Sequence, residues 1–347
     1  MIPKHLADYL ARERIPFSAT IELTTRCNWE CIHCFAIHTK SSAPELSTEE
    51  IETALDELRL LGCFFLCFTG GEATLRKDLI ELVEYASMKG LAVSVYSNGS
   101  LITEEMARRL KEAKVIEFQA TILGAKAETH DAITGRVGSF AAAWRGIEHL
   151  RKAGVNVFLK TPVMKQNFGE IDEIRKLVEE RGFNYMCSPM IYPRWRGDEE
   201  IKKIRLDDSQ MEELIGKEIL WMREEEERIV GGCPINADEG RDTCKAGATA
   251  LTIAADGSVM PCQGFPVSGG NIRDKSLTEI WLDGGLFVEL RRLYAKAAVV
   301  SKAKKSEEWS FCCPQLSYLE TERLDSPSEE SERYNRAVAK ALKKLSL

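Results

Sequence analysis

Residues Thr25-Arg26-Cys27-Asn28-Trp29-Glu30-Cys31-Ile32-His33-Cys34 place three cysteines in a C-x3-C-x2-C spacing. Such a loop gathers its thiols in one small concavity, too short and too close to serve as a disulfide framework. Zinc sites usually take four ligands from paired C-x2-C units. Three thiolates on one tight loop instead suit a 4Fe-4S cluster that keeps one iron open to another ligand. A zinc knuckle, or three reduced structural thiols, is the competing reading of the triad alone.

A strand-like run, Ala19–Leu23, leads into this loop, and five more follow: Phe64–Phe68, Ala92–Tyr96, Val115–Thr121, Val155–Lys160 and Asn184–Cys187. Amphipathic helices lie between them. The first opens on a capping box, Ser47 and Glu50, and lines up Ile51, Ala54, Leu55, Leu58 and Leu61 on one face. Strands that alternate with helices argue for a parallel sheet with right-handed crossovers. A closed eight-fold barrel would need two more units, so the expected fold is α/β, a partial (β/α)6 TIM-like barrel. A longer helix over 207–229 closes this domain, residues 18–230, and its acidic run Glu224–Glu227 reads as a solvated face. From Cys233 a Gly- and Cys-rich region follows, with a hairpin signal at Asp256-Gly257, and defines a second domain over 231–325. A terminal segment, 326–347, spaces Tyr334, Val338, Ala341 and Leu345 as one docked helix.

The 347 residues include 47 basic and 54 acidic side chains, net −7, which offers no electrostatic footprint for nucleic acid. No apolar run is long enough to span a bilayer, and the N-terminus lacks the apolar core of a signal peptide. Eleven cysteines in an unexported chain point to metal ligation rather than disulfides, and the expected location is the cytoplasm.

Ligand sites in parallel α/β folds lie at the C-terminal ends of strands. Gly70-Gly71-Glu72 follows the second strand there: glycines let a ligand approach backbone, and a carboxylate accepts from a cationic amine. Ser97 and Asn98 end the third strand, Thr121 the fourth and Lys160 the fifth, each placing a short polar or cationic group at the same rim. An Asn-Gly turn and a solvated lysine are the bland alternatives. Cys63 and Cys67, in an apolar strand, read as small core hydrophobes. Cys187 ends the sixth strand, where its thiol would face the barrel mouth as a hydrogen-atom donor to a carbon radical, or merely pack.

These motifs together resemble the radical S-adenosylmethionine (SAM) superfamily. The resemblance implies that Cys27, Cys31 and Cys34 ligate a SAM-cleaving 4Fe-4S cluster whose open iron is chelated by SAM. It implies that Gly70, Gly71 and Glu72 meet the SAM amino group, although Ala73 stands where a proline is usual. It further implies that Ser97, Asn98, Thr121 and Lys160 contact SAM, its ribose or the substrate. The run from Gln119 to Ala125, with His130-Asp131, Thr134-Gly135 and Gly138-Ser139-Phe140, is similar to peptide maturases of that superfamily, with Thr121 in place of the usual serine.

Cys244, Gly257 and Cys262, in C-x12-G-x4-C spacing, resemble the opening of a SPASM or Twitch auxiliary domain. Of the family's later ligands only the adjacent Cys312 and Cys313 remain, so the resemblance implies one auxiliary 4Fe-4S cluster at most; if the two cannot both bind, Cys233 supplies the fourth thiolate or an iron stays open for substrate. The implied activity is reductive cleavage of SAM and abstraction of a substrate hydrogen atom, to cross-link, epimerise or oxidise a ribosomally made peptide. A flavodoxin- or ferredoxin-type reductant is an implied partner. The roughly 18 residues before the first strand cannot hold a winged-helix leader-binding module, so a separate leader-binding protein is the matching expectation. Two rivals stay open: a radical enzyme acting on a small molecule, of dehydrogenase or tetrapyrrole-modifying type, and a non-catalytic iron–sulfur or zinc protein.

Overall fold

The structure, a computed structural model, describes residues 4–35, 43–195, 197–228, 244, 246–303, 313–324 and 326–345. Six strands form its parallel core: β1 (Ser18–Glu22), β2 (Phe65–Thr69), β3 (Ala92–Ser97), β4 (Glu117–Thr121), β5 (Val157–Pro162) and β6 (Asn184–Ser188). All six were expected, each within a few residues of its observed bounds.

Period-two alternation divides these strands into two faces. Ile21, Leu66, Phe68, Val93, Val95, Phe118, Ala120 and Leu159 are buried in one continuous apolar core beneath the covering helices. The other face carries Thr20, Cys67, Ser94 and Glu117 in one row of register, and Tyr96, Gln119 and Phe158 in the next. This inner wall is mixed and polar, as a wall around a ligand space should be.

Helix α1 (Lys4–Arg12) precedes the sheet, the helices α2 (Thr48–Leu60), α3 (Leu79–Met88), α4 (Glu104–Glu112), α5 (Ala127–Thr134), α6 (Ser139–Lys152), α7 (Lys165–Phe168) and α8 (Ile171–Glu180) return the chain between its parallel strands, and α9 (Glu199–Ile204) and α10 (Asp208–Arg228) follow β6. The Ser47/Glu50 capping box is formed, and α2 buries Ile51, Ala54, Leu55 and Leu58 as its periodicity predicts.

The C-terminal region contains β7 (Ala250–Ile253), β8 (Ser258–Met260), β9 (Gly270–Asn271), α11 (Leu277–Asp283), α12 (Gly285–Ala303), α13 (Pro314–Thr321) and α14 (Glu329–Lys344). The β7–β8 hairpin turns at Asp256-Gly257, with Gly257 at φ +88°. Its first strand pairs in parallel with β1, Ser18 opposite Ala250 and Ile21 opposite Ile253. The sheet order is therefore β6-β5-β4-β3-β2-β1-β7-β8-β9, open at both edges. The boundary expected near residue 230 lies outside the described residues, and the strands beyond it belong to the same sheet. Helix α14 docks on α10, with Ala337, Val338 and Ala341 buried in the same cluster as Met211, Leu214 and Ile215. Among the described residues no helix is long and apolar enough to cross a membrane.

Candidate active site

The loop from Cys27 to Cys34 leaves the C-terminal end of β1 and is held from three sides. Beneath it, Glu45 accepts from the Thr24 hydroxyl at 2.7 Å and the Thr25 amide at 2.9 Å. Arg76, paired with Asp78 at 2.7 Å, donates to the carbonyls of Leu23 and Leu46. On its far side the loop bonds to a neighbouring corner: the amides of Glu30 and Ile32 donate to the carbonyls of Thr134 and Ile133 at 2.9 and 3.0 Å.

The three thiols are near enough to repel one another as thiolates. Burial, then the neighbouring thiols, raises Cys31, while burial, followed by Glu72 and Cys34, raises Cys27. Yet among the described residues no three His, Cys, Asp or Glu side chains close on a single-ion site. Desolvated, mutually repelling thiolates spread around a common space are stabilised by a polynuclear cation between them, so this loop fits a 4Fe-4S group. His33 stays neutral, its pKa lowered to about 4 by burial, and among the described residues its Nδ1 has no partner.

The glycines at the β2 rim have a use the sequence did not announce. A Cβ on Gly71 would lie 2.3 Å from the Arg26 carbonyl oxygen, and one on Gly70 (φ +144°) 2.5 Å from that of Thr24. The amides of Gly71 and Glu72 donate to those same carbonyls at 2.8 Å each. These glycines admit the thiol loop's own backbone. Glu72 is buried and accepts from the Ser97 hydroxyl at 2.6 Å, the Asn98 amide at 2.7 Å and both the amide and hydroxyl of Thr74. Asn98 donates to Asn28, beside Cys27, at 2.8 Å, and Asn28 donates to Ser100 at 2.9 Å. The strand rims and the thiol loop are thus one hydrogen-bonded assembly, with Gly70, Gly71, Glu72, Ser97 and Asn98 gathered as expected.

The His-Asp…Thr-Gly…Gly-Ser-Phe run builds the corner between α5 and α6. Asp131 accepts from the Gly138 amide (2.6 Å), the Ser139 hydroxyl (2.7 Å) and the Phe140 amide (2.8 Å). Ser139 also meets Thr134 at 2.7 Å and His130 at 3.0 Å. Trp29 packs edge-on against His130, with ring centroids 5.5 Å apart. This motif braces the loop that carries the cysteines. Asn167 is likewise structural: its amide bridges the carbonyls of Leu123 and Pro162, at 3.1 and 3.0 Å.

A second set of thiols converges in the C-terminal region. Cys244, Cys262 and Cys313 interact electrostatically, and burial is the first cause raising Cys262 and Cys313, the latter to about 11. Cys313 caps α13, where the amides of Leu316 and Gln315 face its sulfur and favour the thiolate. Cys312 and the fallback ligand Cys233 lie outside the described residues. Sequence reasoning missed Tyr192 and Tyr294, whose rings lie among these three thiols. It also missed Phe35, directly after Cys34, which packs against Tyr192 (centroids 6.1 Å apart) and against Gly264, two residues beyond Cys262. Aromatic rings thereby join the two thiol sets.

Lys160 and Thr121 are register partners on the inner wall, and the Lys160 ammonium sits 4.5 Å from the centroid of the Tyr96 ring. Cys187 is a correction. Its strand partner is Thr161, one residue past Lys160, so its side chain points to the opposite face. It is buried among Val163, Ile171 and the α10 residues Leu214 and Ile215, its thiol 3.3 Å from Glu218. A thiol beneath helices cannot reach the mouth. Cys63 is buried in the apolar core, as expected of a small hydrophobe, whereas Cys67, also buried, lies on the inner wall beside Ser94.

Comparison with known proteins matches residues 21–178 to the Radical SAM superfamily and residues 244–314 to the SPASM iron-sulfur cluster-binding domain. The chain is 32% identical over 302 residues to an AdoMet-dependent heme synthase of Methanosarcina barkeri, covering 81% of this chain and 86% of that protein. It is 30% identical over 291 residues to the mycofactocin maturase MftC of Mycobacterium ulcerans, covering 80% and 77% respectively. Among solved structures, anSMEcpe with bound AdoMet and a peptide superposes with a TM-score of 0.68 at 20% identity, covering 94% of this chain and 95% of that one.

Proposed function

The chain belongs to the radical SAM superfamily and carries a SPASM module, and on that premise we propose that it modifies a peptide at an unactivated C–H bond. The observation that carries this reading is the joining of two thiol sets through the contact of Phe35 with Tyr192. When bound, the cluster and SAM supply reductive cleavage and a hydrogen-abstracting 5′-deoxyadenosyl radical.

Cys27, Cys31 and Cys34 hold the SAM-cleaving cluster in this reading, and Cys244, Cys262 and Cys313 hold one auxiliary cluster. Glu72 presents its carboxylate between β2 and β3, where the SAM amino group is received. Ser97 and Asn98 orient that carboxylate through bonds of 2.6 and 2.7 Å. Thr121 adds a hydroxyl at the same rim, and the apolar outer layer excludes bulk water. The maturase relative supports the peptide, delivered with a separate leader-binding protein and a flavodoxin- or ferredoxin-type reductant.

Anaerobically reconstituted protein should release 5′-deoxyadenosine from SAM with dithionite, and coexpression with a genome-adjacent precursor peptide should shift that peptide's mass. The triple Cys27/Cys31/Cys34→Ala variant should release none while retaining its auxiliary iron; full cleavage in that variant would sink the assignment. The heme synthase relative favours a second reading, a tetrapyrrole substrate. Consumption of an iron porphyrin with an unchanged peptide would select it.

A further inference from the structure

The inner wall holds a cation, Lys160, to which the reading above gives no role. Lys160 is half-buried, its Nζ over the Tyr96 ring at 4.5 Å, and among the described residues it has no ion pair. Burial lowers its pKa, partly offset by Cys67 and Glu117 nearby. Glu117 is instead engaged by the Gln119 amide nitrogen. The ring face compensates only part of what the ammonium loses on leaving water. Gln119, register partner of Tyr96 and within reach of its side chain, faces the same interior, and among the described residues its buried Oε1 has no hydrogen bond. Among the described residues, a cation with no carboxylate at ion-pair distance and an acceptor with no hydrogen bond therefore line one stretch of wall. The rim that would receive SAM lies at the ends of β2 and β3, where Glu72, Ser97 and Asn98 are already bonded to one another.

We infer that Lys160 and Gln119 form a substrate subsite that recognises a carboxylate through the Lys160 ammonium and an adjacent N–H through Gln119 Oε1, as an acylated amino acid presents them. This deepens the reading above and rests on it, since it takes the barrel interior as the substrate space. It names Lys160 as a specificity-determining residue: substrates lacking the carboxylate leave a desolvated ammonium unpaired, which is the costly outcome.

The probe is N-acetylglycine, compared with N-acetylglycinamide (no carboxylate) and N-acetylsarcosine (no N–H), with binding to the reconstituted protein read by saturation-transfer NMR. The acid should bind saturably, both analogues at least about tenfold more weakly. Lys160→Met should lose the acid while keeping its iron and melting temperature, and Lys160→Arg should restore part of the affinity. SAM and the acid should bind together. Equal binding of acid and amide, unchanged binding by the Lys160→Met protein, or no saturable binding by the wild type would each overturn the subsite. Displacement of the acid by SAM would overturn it too, assigning the cation to the SAM carboxylate. A wild type that releases no 5′-deoxyadenosine would mark failure of the underlying reading instead.

Discussion

Gly71 has no room for a methyl group, because the Arg26 carbonyl oxygen would stand 2.3 Å from it. Gly71→Ala must push the thiol loop off the β2 rim, at a cost of about 2–3 kcal/mol. Reconstituted iron should fall from about eight to about four per chain, with the auxiliary part kept; full iron with an unchanged melting temperature would refute this packing role. Glu22 behaves in the opposite sense. It ends β1 with Oε1 unpartnered among the described residues, and its pKa is raised to about 7, first by burial, against a hydrogen bond from Gln263. The folded protein therefore binds a proton the unfolded chain releases near pH 4.5, so stability falls as pH rises from there to about 7. Glu22→Gln should be stabilising by about 2–3 kcal/mol at about pH 8 and neutral at about pH 4. A gain of equal size at both pH values in thermal melts would rule out titration as its cause.

Among the elements, the α5–α6 corner and the segment before α2 act as buttresses, and they differ in strength. Asp131→Ala strips three donors of their acceptor and should cost about 2 kcal/mol. Because Glu30 and Ile32 lean on that corner, the loss should appear as weaker iron retention at the Cys27–Cys34 loop; undiminished retention would make the corner a mere helix connection. Arg273 grips Glu50 at 2.6 Å and the Pro44 carbonyl at 2.9 Å. The Arg273 bond, then the Ser47 amide, lowers Glu50 to about 2. That pair is substantially exposed, so Arg273→Met should cost no more than about 1 kcal/mol, less in high salt. Its contribution is whole above about pH 4.5 and disappears as pH falls through about 2; a wild type–variant gap that persists below that would mean packing, not charge. The two buttresses were unequally legible. The corner lies within eleven consecutive residues, so its motif could be read directly. The Arg273–Glu50 clamp joins positions 223 apart, and nothing local marks either partner. Cys187 was misplaced because an isolated strand end does not disclose its parity. Only pairing with Thr161 shows that it faces the helices.

Over the whole molecule, the change in texture near residue 230 suggested a second domain, and the strands beyond it continue the sheet of the first through β7 and β1. Strand order is carried by buried apolar runs, which is why the six barrel strands were legible. Pairing between β1 and β7 is not, since it joins segments more than two hundred residues apart that share no pattern. Leu251, Ile253, Val259, Ile280, Trp281 and Phe287 lie in the same apolar cluster as Ile21, Leu55 and Phe68. Trp281 also donates its indole N–H to the Arg14 carbonyl. A shared core and a shared sheet leave no plane along which the C-terminal region can melt alone. Scanning calorimetry of the intact apoprotein should give one cooperative transition for both regions, with calorimetric and van't Hoff enthalpies in agreement. Trp281→Ala should lower that single transition by several degrees, in keeping with about 3–5 kcal/mol for losing a buried tryptophan. Two separated transitions, with Trp281→Ala moving only one of them, would show that the C-terminal region folds independently and that the β1–β7 pairing contributes little to holding the thiol loop in place.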